Sequence, residues 1–145
     1  MKKEDIIQLF DSFNNMKVLI VGDAMIDAYM WGKIERQSPE AAVPVVEIEK
    51  HENRLGGAGN VARNIKSLGA TPVLCSVVGD DFRGKHLKQL LKEEALSTVG
   101  IFTEKSRKTT VKTRVISEDK HQLRIDEEQT NAIIQEKEFL DLVYT

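Results

Sequence analysis

Residues 56–80 read Gly56-Gly57-Ala58-Gly59-Asn60-Val61-Ala62-Arg63-Asn64-Ile65-Lys66-Ser67-Leu68-Gly69-Ala70-Thr71-Pro72-Val73-Leu74-Cys75-Ser76-Val77-Val78-Gly79-Asp80, three signals in succession. The glycine cluster permits close backbone approach, and it stands directly before a helix whose first N–H groups have no partner of their own. Val61, Ala62, Ile65 and Leu68 recur at helical spacing up to Gly69, a natural C-terminal stop. Pro72 to Val78 is then a short apolar run closed by Gly79-Asp80, which predicts a buried strand.

Working outward, Val18-Leu19-Ile20-Val21 ends in Gly22-Asp23 and predicts a second buried strand of the same parallel sheet. Ile6, Ile7, Phe10 and Phe13 mark an amphipathic helix over 4–14 before it, and Leu87, Leu90 and Leu91 mark another after residue 80. Strand and helix in alternation predict an α/β fold. Two stretches break the pattern. Residues 29–36 and 43–49 read as extended, as do residues 109–126, where Val111, Thr113 and Val115 alternate with Lys112 and Arg114, and Leu123 and Ile125 with Arg124 and Asp126. Alternation means one dry and one wet face, so these are expected to form a separate, smaller antiparallel sheet with a turn at Glu118-Asp119-Lys120-His121. Thr130 to Val143 predicts a last helix with Thr130 as N-cap. About three strands for the parallel sheet fall short of the usual five or six, a hint that the sheet is partial.

Composition narrows the function classes. The 145 residues are 41% hydrophobic and 30% charged, with a formal net charge of −2, which offers no electrostatic footprint for nucleic acid or an anionic membrane. Glu4 and Asp5 interrupt any secretory leader, and no apolar run approaches the roughly 20 residues that span a bilayer, so a soluble, cytoplasmic protein is expected. Cys75 is the one cysteine and reads as a core residue; His51, His86 and His121 lack metal-ligand spacing, so no metal site is expected.

The glycine cluster has two decoy readings. Gly57-x-Gly59-x-x-Ala62 satisfies a relaxed dinucleotide fingerprint, but His51-Glu52-Asn53-Arg54-Leu55 before it is too charged for the buried strand that the fingerprint requires. Gly79-Asp80-Asp81-Phe82-Arg83-Gly84-Lys85-His86 approaches a Walker A loop, yet His86 replaces the metal-binding hydroxyl and two aspartates occupy the phosphate position. Those aspartates suit a helix N-terminus instead.

A third reading uses more positions. The segment from Gly56 to Gly79, with its glycine pair, Asn60, Ala62, Gly69 and Gly79, resembles the N-terminal signature of the ribokinase-like (PfkB) carbohydrate kinases. VLIVGDAMIDAYMWG at 18–32 and RQSPEAAVPVVEI at 36–48 are similar to the heptose 7-phosphate kinase branch of that family. The resemblance implies a three-layer parallel core, partial here, with a small antiparallel β lid. The chain 1–145 would then be the N-terminal half of one kinase domain, with core segments 1–28, 56–108 and 127–145 and lid strands at 29–49 and 109–126.

The resemblance also implies roles. Asp27 would accept hydroxyls of the sugar, Gly56 and Gly57 would give it backbone contact, and Asn60 would supply donor and acceptor together; helix-end capping is the alternative reading of Asn60, and the two roles can coexist. Asp23 would either orient the loop or reach substrate. Arg114 and Arg124, with Lys112 and Arg63, are candidates for the sugar phosphate. The intact enzyme would transfer the γ-phosphoryl group of ATP, with Mg2+, to O1 of D-glycero-β-D-manno-heptose 7-phosphate, for lipopolysaccharide core synthesis. The family's catalytic Gly-Ala-Gly-Asp motif lies in its C-terminal half. Gly57-Ala58-Gly59 imitates it here, but Asn60 stands where the base should be and cannot take a proton. No catalytic or ATP-binding residue is therefore expected in this chain. Other sugars of the family, a non-catalytic sugar-binding module, and a homodimer paired through the lid are the alternatives.

Overall fold

The computed structural model describes residues 2–144; Met1 and Thr145, the ends of the expected unit, lie outside the described residues. The elements run α1 (Lys3–Phe13), β1 (Lys17–Val21), β2 (Ala24–Gln37), β3 (Pro44–Gly57), α2 (Ala58–Ser67), β4 (Thr71–Gly79), α3 (Phe82–Glu93), β5 (Ile101–Glu104), β6 (Val111–Ser117), β7 (Lys120–Glu127) and α4 (Glu136–Val143). They build a three-stranded sheet in the order β1-β4-β5, parallel throughout, and a separate four-stranded sheet in the order β3-β2-β6-β7. Mixed α/β architecture with a parallel core and a second sheet is as the sequence predicts.

One hydrophobic cluster serves both sheets. Leu74, Val78 and Ile101 from the parallel sheet, Ala62 from α2 and Leu87 and Leu91 from α3 pack with Ala24, Ile26, Ala28, Leu55 and Val111 from the second sheet. Leu87 and Leu91 are wholly buried, so each contributes about 1.5–3 kcal/mol of hydrophobic transfer. Cys75 is buried in β4, and burial pushes its thiol pKa up.

Five expectations need correction. First, β1 is a strand of the parallel sheet but is not buried: it sits at the sheet edge, and Leu19 and Val21 are 53% and 55% exposed. Second, the lid is not purely antiparallel. β2·β3 and β6·β7 are antiparallel hairpins, but β2 and β6 pair in parallel, because both strands leave the same end of the core. Third, the lid strands are longer than the alternation suggests. β2 starts at Ala24, and β3 runs through His51–Leu55 to Gly57, a mostly exposed stretch of strand in keeping with its charge. Fourth, the last helix begins at Glu136 with Gln135 as N-cap, not at Thr130. The preceding backbone is held elsewhere: Arg107 donates to the carbonyls of Gln129 and Asn131, and Ile134 N donates to the buried Glu104 carboxylate. Fifth, the polar turn is confined to Glu118 and Asp119, both with positive φ as in a two-residue hairpin loop; Lys120 and His121 belong to β7.

Candidate functional site

The candidate site lies where β2 leaves the carboxyl end of β1, the usual location of ligand crevices in open parallel sheets. Along β2 the alternation turns Ala24, Ile26 and Ala28 into the core and leaves Met25, Asp27 and Tyr29 on the opposite face. A buried hydrogen bond from Ala24 N to Ser76 Oγ, 2.9 Å, fixes this start against β4.

The glycine pair is required by β2 itself. A Cβ on Gly56 would lie 2.7 Å from both Cγ and Oδ2 of Asp27, so the carboxylate packs over a bare Cα. Gly57 has φ +55°, and a Cβ there would overlap the Asp23 carbonyl oxygen. That carbonyl accepts from Ala58 N at 2.9 Å, satisfying the first helical amide of α2. Asp23 thus orients the glycine turn through its backbone, while its side chain is exposed.

Asp27 is held by Arg114, whose Nη1 donates to Oδ1 at 2.6 Å; both side chains are 21% exposed. This hydrogen bond is the main cause of the rise in the Arg114 pKa above its ordinary value. Asp23, Asp27, Gly56, Gly57 and Arg114 therefore come together. Asn60 does not join them: half-buried on the first turn of α2, its Oδ1 accepts from Arg63 Nη2 at 3.2 Å. Arg63 in turn approaches Glu94, 3.9 Å away. Arg124 is directly across from Arg114 in the β6·β7 register, but its side chain is 62% exposed and its Nε is paired with Asp126 at 3.0 Å. Lys112 is held between Glu128, 2.9 Å, and Asp126, 3.0 Å. These bonds, led by the one to Glu128, raise the Lys112 pKa, and the bond from Lys112 leads in lowering that of Asp126.

Sequence reasoning missed the rest of this face. Tyr29 stacks with Trp31, ring centroids 5.4 Å apart, and the Arg114 and Arg54 guanidiniums lie 5.3 and 5.0 Å from the Tyr29 ring. Glu52 pairs with Arg54 and Lys50, and the Arg54 bond, then the Lys50 bond, lowers its pKa to about 2. The period-two spacing Asp27-x-Tyr29-x-Trp31 was the available signal. Also missed is a neighbouring cleft of about 530 Å³, lined by Asp23, Met25, Lys108, Thr110, Asn131 and Glu136 among others.

Both decoys fail structurally. The glycine cluster follows β3, an antiparallel lid strand, rather than a strand of the parallel sheet. In the second glycine loop Gly79 N donates to Thr109 Oγ1 and Gly84 N donates to Asp81 Oδ1, so these amides are committed within the protein. Among the described residues no group of three or more His, Cys, Asp or Glu is arranged to hold a metal ion, and no helix is long and apolar enough to cross a membrane.

Comparison with known proteins agrees with this architecture. The model of the pfkB family of carbohydrate kinases matches residues 15–143. A bifunctional protein HldE of Helicobacter pylori (strain P12) is 53% identical over 112 residues, covering 77% of this chain and 24% of that protein. The HldE of Citrifermentans bemidjiense is 41% identical over 133 residues, covering 92% of this chain and 27% of its own. The chain thus spans about a quarter of the length of these curated relatives. A fructokinase from Xylella fastidiosa, solved with bound ATP, shares the fold at a TM-score of 0.55 and 20% identity, over 80% of this chain and 31% of that one. With a family match across nearly its whole length, the chain belongs to the pfkB family of carbohydrate kinases.

Proposed function

We propose that this chain is the sugar-binding and lid half of an ATP-dependent sugar kinase, acting in the cytoplasm on O1 of D-glycero-β-D-manno-heptose 7-phosphate in ADP-heptose and lipopolysaccharide core synthesis. The observation that carries the reading is the Asp27 carboxylate packed over Gly56 at the carboxyl end of β1, on the lid strand that leaves it. A carboxylate is acceptor-only, so it takes the donated hydrogens of sugar hydroxyls. Gly56 and Gly57 make room for that carboxylate and for the turn from Asp23, while Asn60, bonded to Arg63, stands outside this group. The similarity of residues 18–32 and 36–48 to the heptose 7-phosphate kinase branch, beside the match to HldE proteins, is what supports this sugar over the family's others. Arg124, the most exposed cation beside Asp27 and Arg114, meets the phosphate.

The described residues supply no carboxylate cluster for Mg2+, and Gly79 N and Gly84 N of the second glycine loop bond within the chain rather than standing open to a phosphate. Phosphoryl transfer rests on positioning and on stabilising the charge of the transferred group. The base and anion hole for that step are assigned to the portion of the relatives beyond this chain. The isolated chain then binds sugar but turns over no ATP. Calorimetric titration with heptose 7-phosphate beside Asp27→Ala tests this. Saturable binding lost in the variant is expected; equal binding by both overturns the site. Tighter binding of another sugar would move the assignment within the family.

Leu123 and Ile125 favour a second reading, a homodimer paired through the lid. Both are exposed on β7, an edge strand whose outer hydrogen-bonding groups face no neighbour in the sheet. Sedimentation at high concentration should show a dimer that Leu123→Lys disperses; a strict monomer removes this reading.

A further inference from the structure

The Arg114 guanidinium is engaged by the Asp27 carboxylate. Its Nη1 donates to Asp27 Oδ1 at 2.6 Å and lies 3.4 Å from the Lys112 carbonyl, and the guanidinium is near the Tyr29 ring. In the β2·β6 register Arg114 is opposite Tyr29, so it reaches diagonally along the sheet to the residue two before it. Among the described residues Asp27 has this one hydrogen-bond partner, to Oδ1; Oδ2 lies over the bare Cα of Gly56. One oxygen is tied down and the other is free on the face where Met25 and Tyr29 also stand.

We propose that Arg114 is a positioning residue rather than a phosphate ligand: it fixes the Asp27 carboxylate so that Oδ2 is presented to substrate hydroxyls over Gly56. The proposal rests on the sugar-site reading above but is separable from it. A dianionic phosphate at Arg114 would lie beside the Asp27 carboxylate, where like charges repel, and would compete for the guanidinium donor that now holds Oδ1.

The test compares the heptose with and without its 7-phosphate, titrated calorimetrically against the wild-type chain, Arg114→Gln, Arg114→Lys and Arg124→Gln. The expected result is that Arg114→Gln weakens both sugars by the same factor, about tenfold, the cost of one charge-assisted hydrogen bond. Arg114→Lys should recover part of that loss, because an ammonium can still donate to Oδ1. Arg124→Gln should weaken only the phosphorylated sugar. If Arg114→Gln removes only the advantage conferred by the phosphate, Arg114 is a phosphate ligand and the proposal falls. A sugar-free readout separates this from failure of the site reading. NMR three-bond couplings that report the Asp27 χ1 angle should indicate one rotamer in the wild type and averaging in Arg114→Gln. Unchanged couplings overturn the tether whatever the sugars do. Changed couplings in a chain that binds neither sugar would support the tether and refute the sugar site.

Discussion

The two sheets of this molecule are held together in opposite ways. β4, at the centre of the parallel sheet, turns Leu74, Cys75 and Val78 into a dry interior, whereas every residue of β7, at the edge of the lid, is exposed. The lid's outer face is instead a lattice of ion pairs in which Asp126 bridges Lys112 and Arg124, and Glu52 bridges Lys50 and Arg54. The more exposed of these pairs, such as Lys50 with Glu52 and Arg124 with Asp126, contribute about 0–1 kcal/mol each, and salt screens them. Stability and surface chemistry are therefore segregated: the core supplies cohesion, and the lid holds a charged, aromatic surface in register.

The largest effect that would sharpen this contrast is on the core side. Leu87→Ala or Leu91→Ala should lower unfolding free energy by about 2–5 kcal/mol in urea titrations, while Leu123→Ala on the lid should cost under about 1 kcal/mol. Comparable losses would break the segregation. Next is Gly57→Ala, expected to cost about 1–3 kcal/mol from its positive φ, with added overlap against the Asp23 carbonyl. A neutral result would show that the turn relaxes freely.

A smaller effect is pH-dependent. Burial pushes the Asp81 pKa up, but hydrogen bonds from Thr109 N, Gly84 N and Thr109 Oγ1 outweigh it and leave the group below the ordinary value of 3.8. A depressed folded pKa means that the carboxylate stabilises above the unfolded value, and that this is lost as pH falls through the folded one. Asp81→Asn should cost about 0.5–2 kcal/mol at pH 6, and its disadvantage should shrink toward pH 3 in urea midpoints. A constant difference across that range would remove Asp81 as the acid-sensitive cap. The smallest effect should be that of Arg83→Ala, which breaks the exposed pair with Glu127 and should cost at most about 1 kcal/mol, less in 0.5 M salt by thermal melting.

The legible parts of the fold were those with a local cause. The run Pro72–Val78, the helical spacing of Val61, Ala62 and Ile65, and the Asp81 cap all announce themselves within a few residues. β5 did not, because it has only four residues and ends in Glu104, a charge buried through partners at Ser106 and Ile134. The parallel pairing of β2 with β6 was equally hidden, since Asp27 and Lys112 come into register across a long stretch of intervening chain. At the site, the resemblance gave Asp27, Gly56 and Gly57 each a contact to the sugar, but the packing of Asp27 over Gly56 is visible only in three dimensions. The tie from Arg114 to Asp27 and the aromatic pair Tyr29 and Trp31 depend on that same long-range register and could be read only in three dimensions.

The shared core has a consequence for anyone who wants to swap lids among sugar kinases to alter specificity. Ala24, Ile26, Ala28, Leu55 and Val111, five of the twelve residues in the buried cluster, are carried on lid strands. Cutting at the strand boundaries would remove part of the interior with the lid and leave a hole facing α2 and α3. The transferable unit is only the outward half of each strand. A graft that exchanges Asp27, Tyr29, Arg114 and their outward neighbours while keeping the inward alternation intact is the one that this chain would tolerate.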